Sequence, residues 1–174
     1  MNCPISWEAI AGLSSALIAL CALGFTYWQV CISRRYNKLS VIPYLTTWSN
    51  LEYEKGTYTV NIMNNGVGPA LIKSFQIFVD GQKVDGYGLG LIEKALTILF
   101  PAHKYNSYKA FLSDGYMMAS NEKRVLVSIQ FVGLSYPKTE EIDQVNKRVK
   151  IVIDYESIYS EKHVYDSSKF KVIN

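Results

Sequence analysis

Residues 9–32 read AIAGLSSALIALCALGFTYWQVCI, and residues 33–38, which follow at once, read SRRYNK. The first stretch holds 24 residues without a charged side chain, and the second holds Arg34, Arg35 and Lys38. A helix of that length rises roughly 36 Å at about 1.5 Å per residue, more than the ~30 Å hydrocarbon core of a bilayer. A buried helix of a soluble core is the other reading, but such helices are shorter and carry charge on one face. Trp7 at one end and Tyr27 with Trp28 near the other suit the two membrane–water interfaces. The stretch predicts a transmembrane helix over residues 9–33. Residues 1–8 precede it, a basic junction covers 34–40, and one domain follows over 41–174.

A cleaved secretory signal is the rival reading, since Ala22-Leu23-Gly24 has the small residues of a cleavage site. Such a signal begins with a basic segment, whereas MNCPISWE carries Glu8 as its one charged side chain. The basic cluster follows the apolar run instead. The positive-inside rule then places the carboxyl-terminal domain in the cytoplasm and the amino terminus outside, as an uncleaved single-pass anchor.

Steps of four and three along the helix from Glu8 meet Gly12, Ser15, Ala19, Ala22, Thr26, Gln29 and Ser33, all small or polar. In lipid, small side chains let helix backbones approach, and hydroxyls or amides can bond across the gap. Gln29 adds weight, because an amide in hydrocarbon needs a partner. The seam therefore predicts self-association in a left-handed bundle with crossings near +20°. Four or more copies, a tetramer for preference, would enclose a narrow path lined by Ser15, Thr26 and Gln29, with Glu8 and Ser33 at its mouths.

Setting aside Glu8, Arg34, Arg35 and Lys38 leaves fifteen basic and fourteen acidic residues, so the domain is nearly neutral. Duplex DNA, which asks for a broad basic face, is not an expected partner. Cys3, Cys21 and Cys31 all lie in or beside the apolar run, so no disulfide within the domain is available to staple it.

From Leu39 onward the hydrophobic period changes to two. Tyr58-Val60-Ile62, Phe75-Ile77-Val79, Val125-Val127-Ile129-Phe131 and Val149-Ile151-Ile153-Tyr155 each present one apolar face, the mark of antiparallel strands. Turn pairs at Asn65-Gly66, Gly68-Pro69, Asp80-Gly81, Asp85-Gly86 and Asp114-Gly115 separate them. Glu93–Phe100 and Glu140–Lys147 are the candidates for short helices. The expected fold is mainly β: a transmembrane helix followed by an antiparallel β-sandwich of seven or eight strands with one or two helices. The junction LSVIPYL is expected to form the first strand, with Pro43 at an edge. Gly66 and Gly68 are expected to supply positive φ in a turn. No flexible linker separates helix and domain, so the domain is expected close to the membrane, able to pass its orientation to the helix.

Three strings, RRYNKLSVIPYL (34–45), NNGVGPALI (64–72) and YESIYSEK (155–162), occur in this order. They resemble a widespread group of small bacterial membrane-anchored proteins with a cytosolic β-sandwich. That group has an Asn-Arg-Leu-Ser-Val-x-Pro junction, an Asn-x-Gly-x-Gly-Pro-Ala turn and a late Tyr-x-Ser-hydrophobic strand. Lys38 replaces the common arginine here, and Glu156 and Lys162 stand where cysteines are often seen. The layout is in turn similar to membrane effectors of antiphage systems, in which an enzyme encoded nearby makes a nucleotide signal. The Hailong-type effector, an oligomeric channel controlled by short deoxyadenylate strands, is one of these, and β-barrel effectors of cyclic-oligonucleotide systems are others. This similarity is one of architecture.

The chain has no phosphate loop, HExxH, CxxC or nucleophile elbow. His103 and His163 lie at no metal-ligand spacing, and Asp154 with Glu156 reads as a solvated strand face rather than an acid–base pair. The expectation is a non-enzyme with no cofactor and no metal. For an anionic ligand such as a nucleotide or oligonucleotide, two basic stretches with aromatics are candidates. One gives His103, Lys104, Tyr105, Tyr108 and Lys109, and the other gives Lys147, Arg148 and Lys150. The bland reading of each is a surface loop and a solvated strand face.

Two functions from different classes follow. One is an effector whose associated helices form a pore, gated by a nucleotide on the domain and depolarising the inner membrane. The other is an interaction module held at the membrane to recruit a partner, its helix only an anchor. An exported sandwich on the outer face is a third, opposed by Arg34 and Arg35.

Overall fold

A computed structural model describes residues 6–133 and 137–170. Cys3 lies outside them. The chain divides into two units, residues 1–40 and 41–174.

The first unit is one helix, α1 (Trp7–Leu39), which runs on through the basic cluster. Ser6 caps it, its hydroxyl accepting the Ala9 amide at 3.3 Å, and Glu8 in the first turn complements the positive end of the helix. Alanine and leucine are its commonest residues and no proline interrupts it, so the helical ladder continues through Gly12 and Gly24 despite their lower propensity. It stops at Ser40, shortly before Ile42-Pro43, where the residue ahead of a proline is driven out of helical conformation. None of its 33 residues is buried. It is long and apolar enough to cross a membrane.

The second unit is two antiparallel sheets facing each other. One sheet is ordered β1 (Leu45–Glu52), β2 (Thr57–Asn64), β7 (Lys123–Phe131), β5 (Tyr105–Lys109). The other runs β4 (Gln82–Lys83), β3 (Ala70–Val79), β8 (Val149–Glu156), β9 (Lys162–Asp166), and β6 (Met117–Met118) borders the far end of β3. The core lies between them, built on Ile62, Ile72, Leu126, Ile129 and Ile153. Helix α2 (Leu89–Leu99) adds Leu91, Ile92, Ala95, Leu96 and Leu99 on one stripe, and α3 (Thr139–Arg148) adds Ile142 and Val145. The mainly β fold read from the hydrophobic periods is the fold observed, with α2 beginning four residues before the expected Glu93.

Local chemistry explains the connections. Asp80 and Gly81 both take positive φ, 52° and 80°, the conformation of a tight hairpin turn between β3 and β4. A register shift lies opposite Val60/Asn61, where Val60 pairs Val127 and Asn61 pairs Val125. Leu126 is the extra residue of that bulge, so Leu126 is buried while Val125, expected on the inner face, is half-buried. The first strand starts only at Leu45, the last residue of LSVIPYL, and Pro43 is fully buried ahead of it instead of lying at an edge.

Candidate functional site

Glu8, Gly12, Ser15, Ala19, Ala22, Thr26, Gln29 and Ser33 all lie on α1 and are exposed. Two seam hydroxyls are satisfied inside the helix: Ser15 donates to the Ala11 carbonyl and Thr26 to the Ala22 carbonyl, each at 2.8 Å. Among the described residues the Gln29 side chain has no hydrogen-bond partner. Its amide therefore carries the unmet bonding capacity of the seam.

The basic candidates divide between the two sheets. Lys104, Tyr105, Tyr108 and Lys109 belong to β5 or its first flank, while Lys147, Arg148 and Lys150 run from the end of α3 into β8. Tyr105 packs edge-on against Phe100 and Phe131, with ring centres 6.2 and 6.4 Å away, while Tyr108 projects outward. Lys109 lies 3.2 Å from Glu93, and Arg148 makes a two-pronged bond to Asp80 at 2.9 and 2.7 Å. Lys150 sits 2.9 Å from Asp166. Burial disfavours the Asp166 charge, but bonds from Ser168 and Lys150 outweigh it and carry the carboxyl down to about 2. His103 lies 3.7 Å from Glu141. An anion on Lys109, Arg148 or Lys150 would have to compete with a carboxylate already in place.

The densest polar construction in the domain surrounds Asn64, a residue without exposed surface at the end of β2. Its Oδ1 accepts the Tyr44 and Gly66 amides, both at 3.0 Å, and its Nδ2 donates to the Gly68 carbonyl at 2.8 Å. The Asn65 amide donates to the Tyr44 carbonyl at 2.8 Å, and the Ser120 hydroxyl donates to the Gly66 carbonyl at 2.7 Å. The chain entering the domain, Val41–Leu45, is thus tied to the turn at 64–68. Gly66 and Gly68 are glycines for a reason other than the expected one. Neither has positive φ; a Cβ on Gly66 would overlap the backbone of Ile42–Tyr44, and one on Gly68 the backbone of Val41.

Glu122 braces the same turn. Its carboxylate accepts the Ala119 amide at 2.8 Å, Arg124 Nε at 2.7 Å and the Tyr116 hydroxyl, and the Arg124 guanidinium lies 4.4 Å over the Tyr116 ring. Burial and then the Glu122 charge push the Tyr116 hydroxyl up to about 12. From the opposite sheet Tyr155 bonds to the Leu45 backbone and stacks on His163, with ring centres 5.4 Å apart. Ser157 is buried and accepts the Tyr159 and Glu161 amides, closing the turn from β8 to β9. Val41–Leu45, the 64–68 turn and Tyr155, one part of each of the three sequence strings, therefore meet in one place within the domain. The turn was legible as a turn, but Asn64 was not, because its partners lie 20 and 54 residues away.

This grip ties the entering chain to the 64–68 turn through backbone and side-chain hydrogen bonds. No protein-family model and no curated protein matches the chain.

Proposed function

We propose that the protein is a single-pass membrane effector whose copies associate through the seam of α1. Glu8 and Gly12 stand toward one end of that seam, Gln29 and Ser33 toward the other. The associated helices enclose an ion path, and a signal received by the β-domain controls it. The observation that carries this reading is the Gln29 amide, without a partner among the described residues on a helix that buries nothing within its own chain. In hydrocarbon such an amide is stabilised by the same amide on a neighbouring copy. Arg34 and Arg35 support a cytoplasmic domain, and the bacterial inner membrane and an antiphage role with a nucleotide signal rest on the resemblance alone.

The seam hydroxyls favour a second reading. Ser15 and Thr26 already bond to their own helix, so a lone α1 leaves few groups unmet and can serve as a plain anchor for an interaction module. Ion flux through vesicles carrying the full chain separates the two. A Gln29→Leu, Thr26→Leu double variant that stays in the membrane is expected to lose flux at least tenfold. Flux equal to that of the parent, or a monomer or dimer by native mass spectrometry, removes the pore and leaves the anchored module.

A further inference from the structure

A sandwich of this kind normally closes its two inner faces on each other at the density of a protein interior. Here a cleft of about 830 Å³ remains between the sheets, bounded by α2 on one side and α3 on another. Its walls are Val60 of β2, Phe75 and Ile77 of β3, Leu96 of α2, Val127 of β7 and Ile151 of β8. Val60 and Ile151 are inward-facing strand positions, yet they are only half-buried. The size lies within the range of about 300–1,000 Å³ typical of small-molecule sites.

Polar groups gather at one side. Tyr58 gives its hydroxyl to Asn146 Oδ1 at 2.5 Å, and Asn146 Nδ2 donates to Ser49 at 3.2 Å, so α3 is tied across β1 and β2 by hydrogen bonds. Burial pushes the Tyr58 hydroxyl up to about 12, which keeps it a neutral donor. Asp143 and Lys147 flank this tie with one charge of each sign. The cleft thus has apolar walls and a polar border with no excess of positive charge. That chemistry excludes a polyphosphate and suits a single acyl chain with a small polar or singly charged head. The long apolar helix of the same chain places the protein where such molecules are abundant.

We propose that this cleft binds one acyl chain, as a free fatty acid or as the chain of a bilayer lipid. The site shares Lys147 with the second basic stretch, lies apart from the stretch at 104–109, and does not depend on the pore.

The test uses the full chain in phosphatidylcholine nanodiscs, with a photoactivatable palmitate added in one arm and a photoactivatable phosphatidylcholine built into the bilayer in the other. After illumination, labelled peptides are mapped by mass spectrometry. The expected result is label on the peptides carrying Val60, Leu96 or Ile151, reduced at least tenfold by excess unlabelled oleate. Ala95→Leu and Ile151→Trp, which fill the cleft from two different elements, are expected to lower that label while label on α1 is unchanged. Label from the palmitate arm alone identifies a free fatty acid, and label from both arms a lipid chain. The proposal is overturned by the absence of cleft label in both arms, or by cleft label that oleate does not compete away. Because the oleate competition needs no variant, a variant that fails to fold leaves the test intact.

Discussion

The two units of this chain obey different rules of stability. In α1 every backbone bond is local, and all 33 side chains lie outside any core. In the β-domain the ladders join distant segments, β3 with β8 and β2 with β7, and the side chains that matter are those enclosed between them. The helix therefore depends on what surrounds it, while the domain depends on its own long-range contacts. A hydrocarbon surround is what makes an exposed Leu13, Leu17, Leu20 or Phe25 favourable. In water the same surface would be a liability.

This contrast can be broken from either side. The largest effect is expected on the domain from Gly68→Ala. Its methyl group would press into the Val41 backbone and force the entering chain away from Asn64. A loss of about 3 kcal/mol or more is expected, read as a fall in the unfolding midpoint of the domain by near-ultraviolet circular dichroism, with the helical signal of α1 retained. Simultaneous loss of both signals would mean that the two units do not stand apart in stability.

Leu20→Arg tests the other side. Leu20 lies near the middle of the uncharged run, and an arginine there costs about 2.5–3.5 kcal/mol of insertion. Carbonate extraction is expected to release more of the variant from membranes, with the domain's unfolding midpoint unchanged. Full retention in the membrane would mean that the long arginine side chain reaches the interface from a position off the seam.

The smallest effect sharpens the comparison with pH. Asp166 falls from 3.8 unfolded to about 2 in the folded domain, so the stability it contributes is complete above pH 4 and is lost as the pH drops from about 4 to 2. Asp166→Asn removes the titrating group, and the acid limb of domain stability is expected to become flatter over that window. An unchanged acid limb would assign acid sensitivity to other carboxylates, such as Glu122, whose charge is held by Tyr116, Arg124 and Ala119 although burial opposes it.

The positions where sequence reading and structure part company share a cause. The expected strand over LSVIPYL is divided instead: Leu39 ends α1, Ser40 and Val41 turn, and Ile42 and Tyr44 bond to the 64–68 turn before pairing with β2 begins at Leu45. Val125 exchanges its place with Leu126 because a bulge shifts the alternation by one residue. Gly66 and Gly68 resemble turn glycines in sequence, yet close backbone approach is what requires them. In each case the deciding neighbour is remote in the chain. The basic candidates show the same limit: Lys109, Arg148 and Lys150 are legible as positive charges, but Glu93, Asp80 and Asp166 beside them are not.

What the sequence determined by itself is whatever rests on local physics. The uncharged run specifies a long apolar helix, since helix bonds reach only four residues and its composition contains nothing to break them. Period-two patterning specifies strands with one buried face, and Asp80-Gly81 specifies a tight turn. Only the tertiary structure decided the strand order, the grip of Asn64 on the entering chain and the cleft between the sheets. Those features depend on which distant surfaces meet, and a pattern that repeats every two residues marks a face for burial without naming the face that covers it.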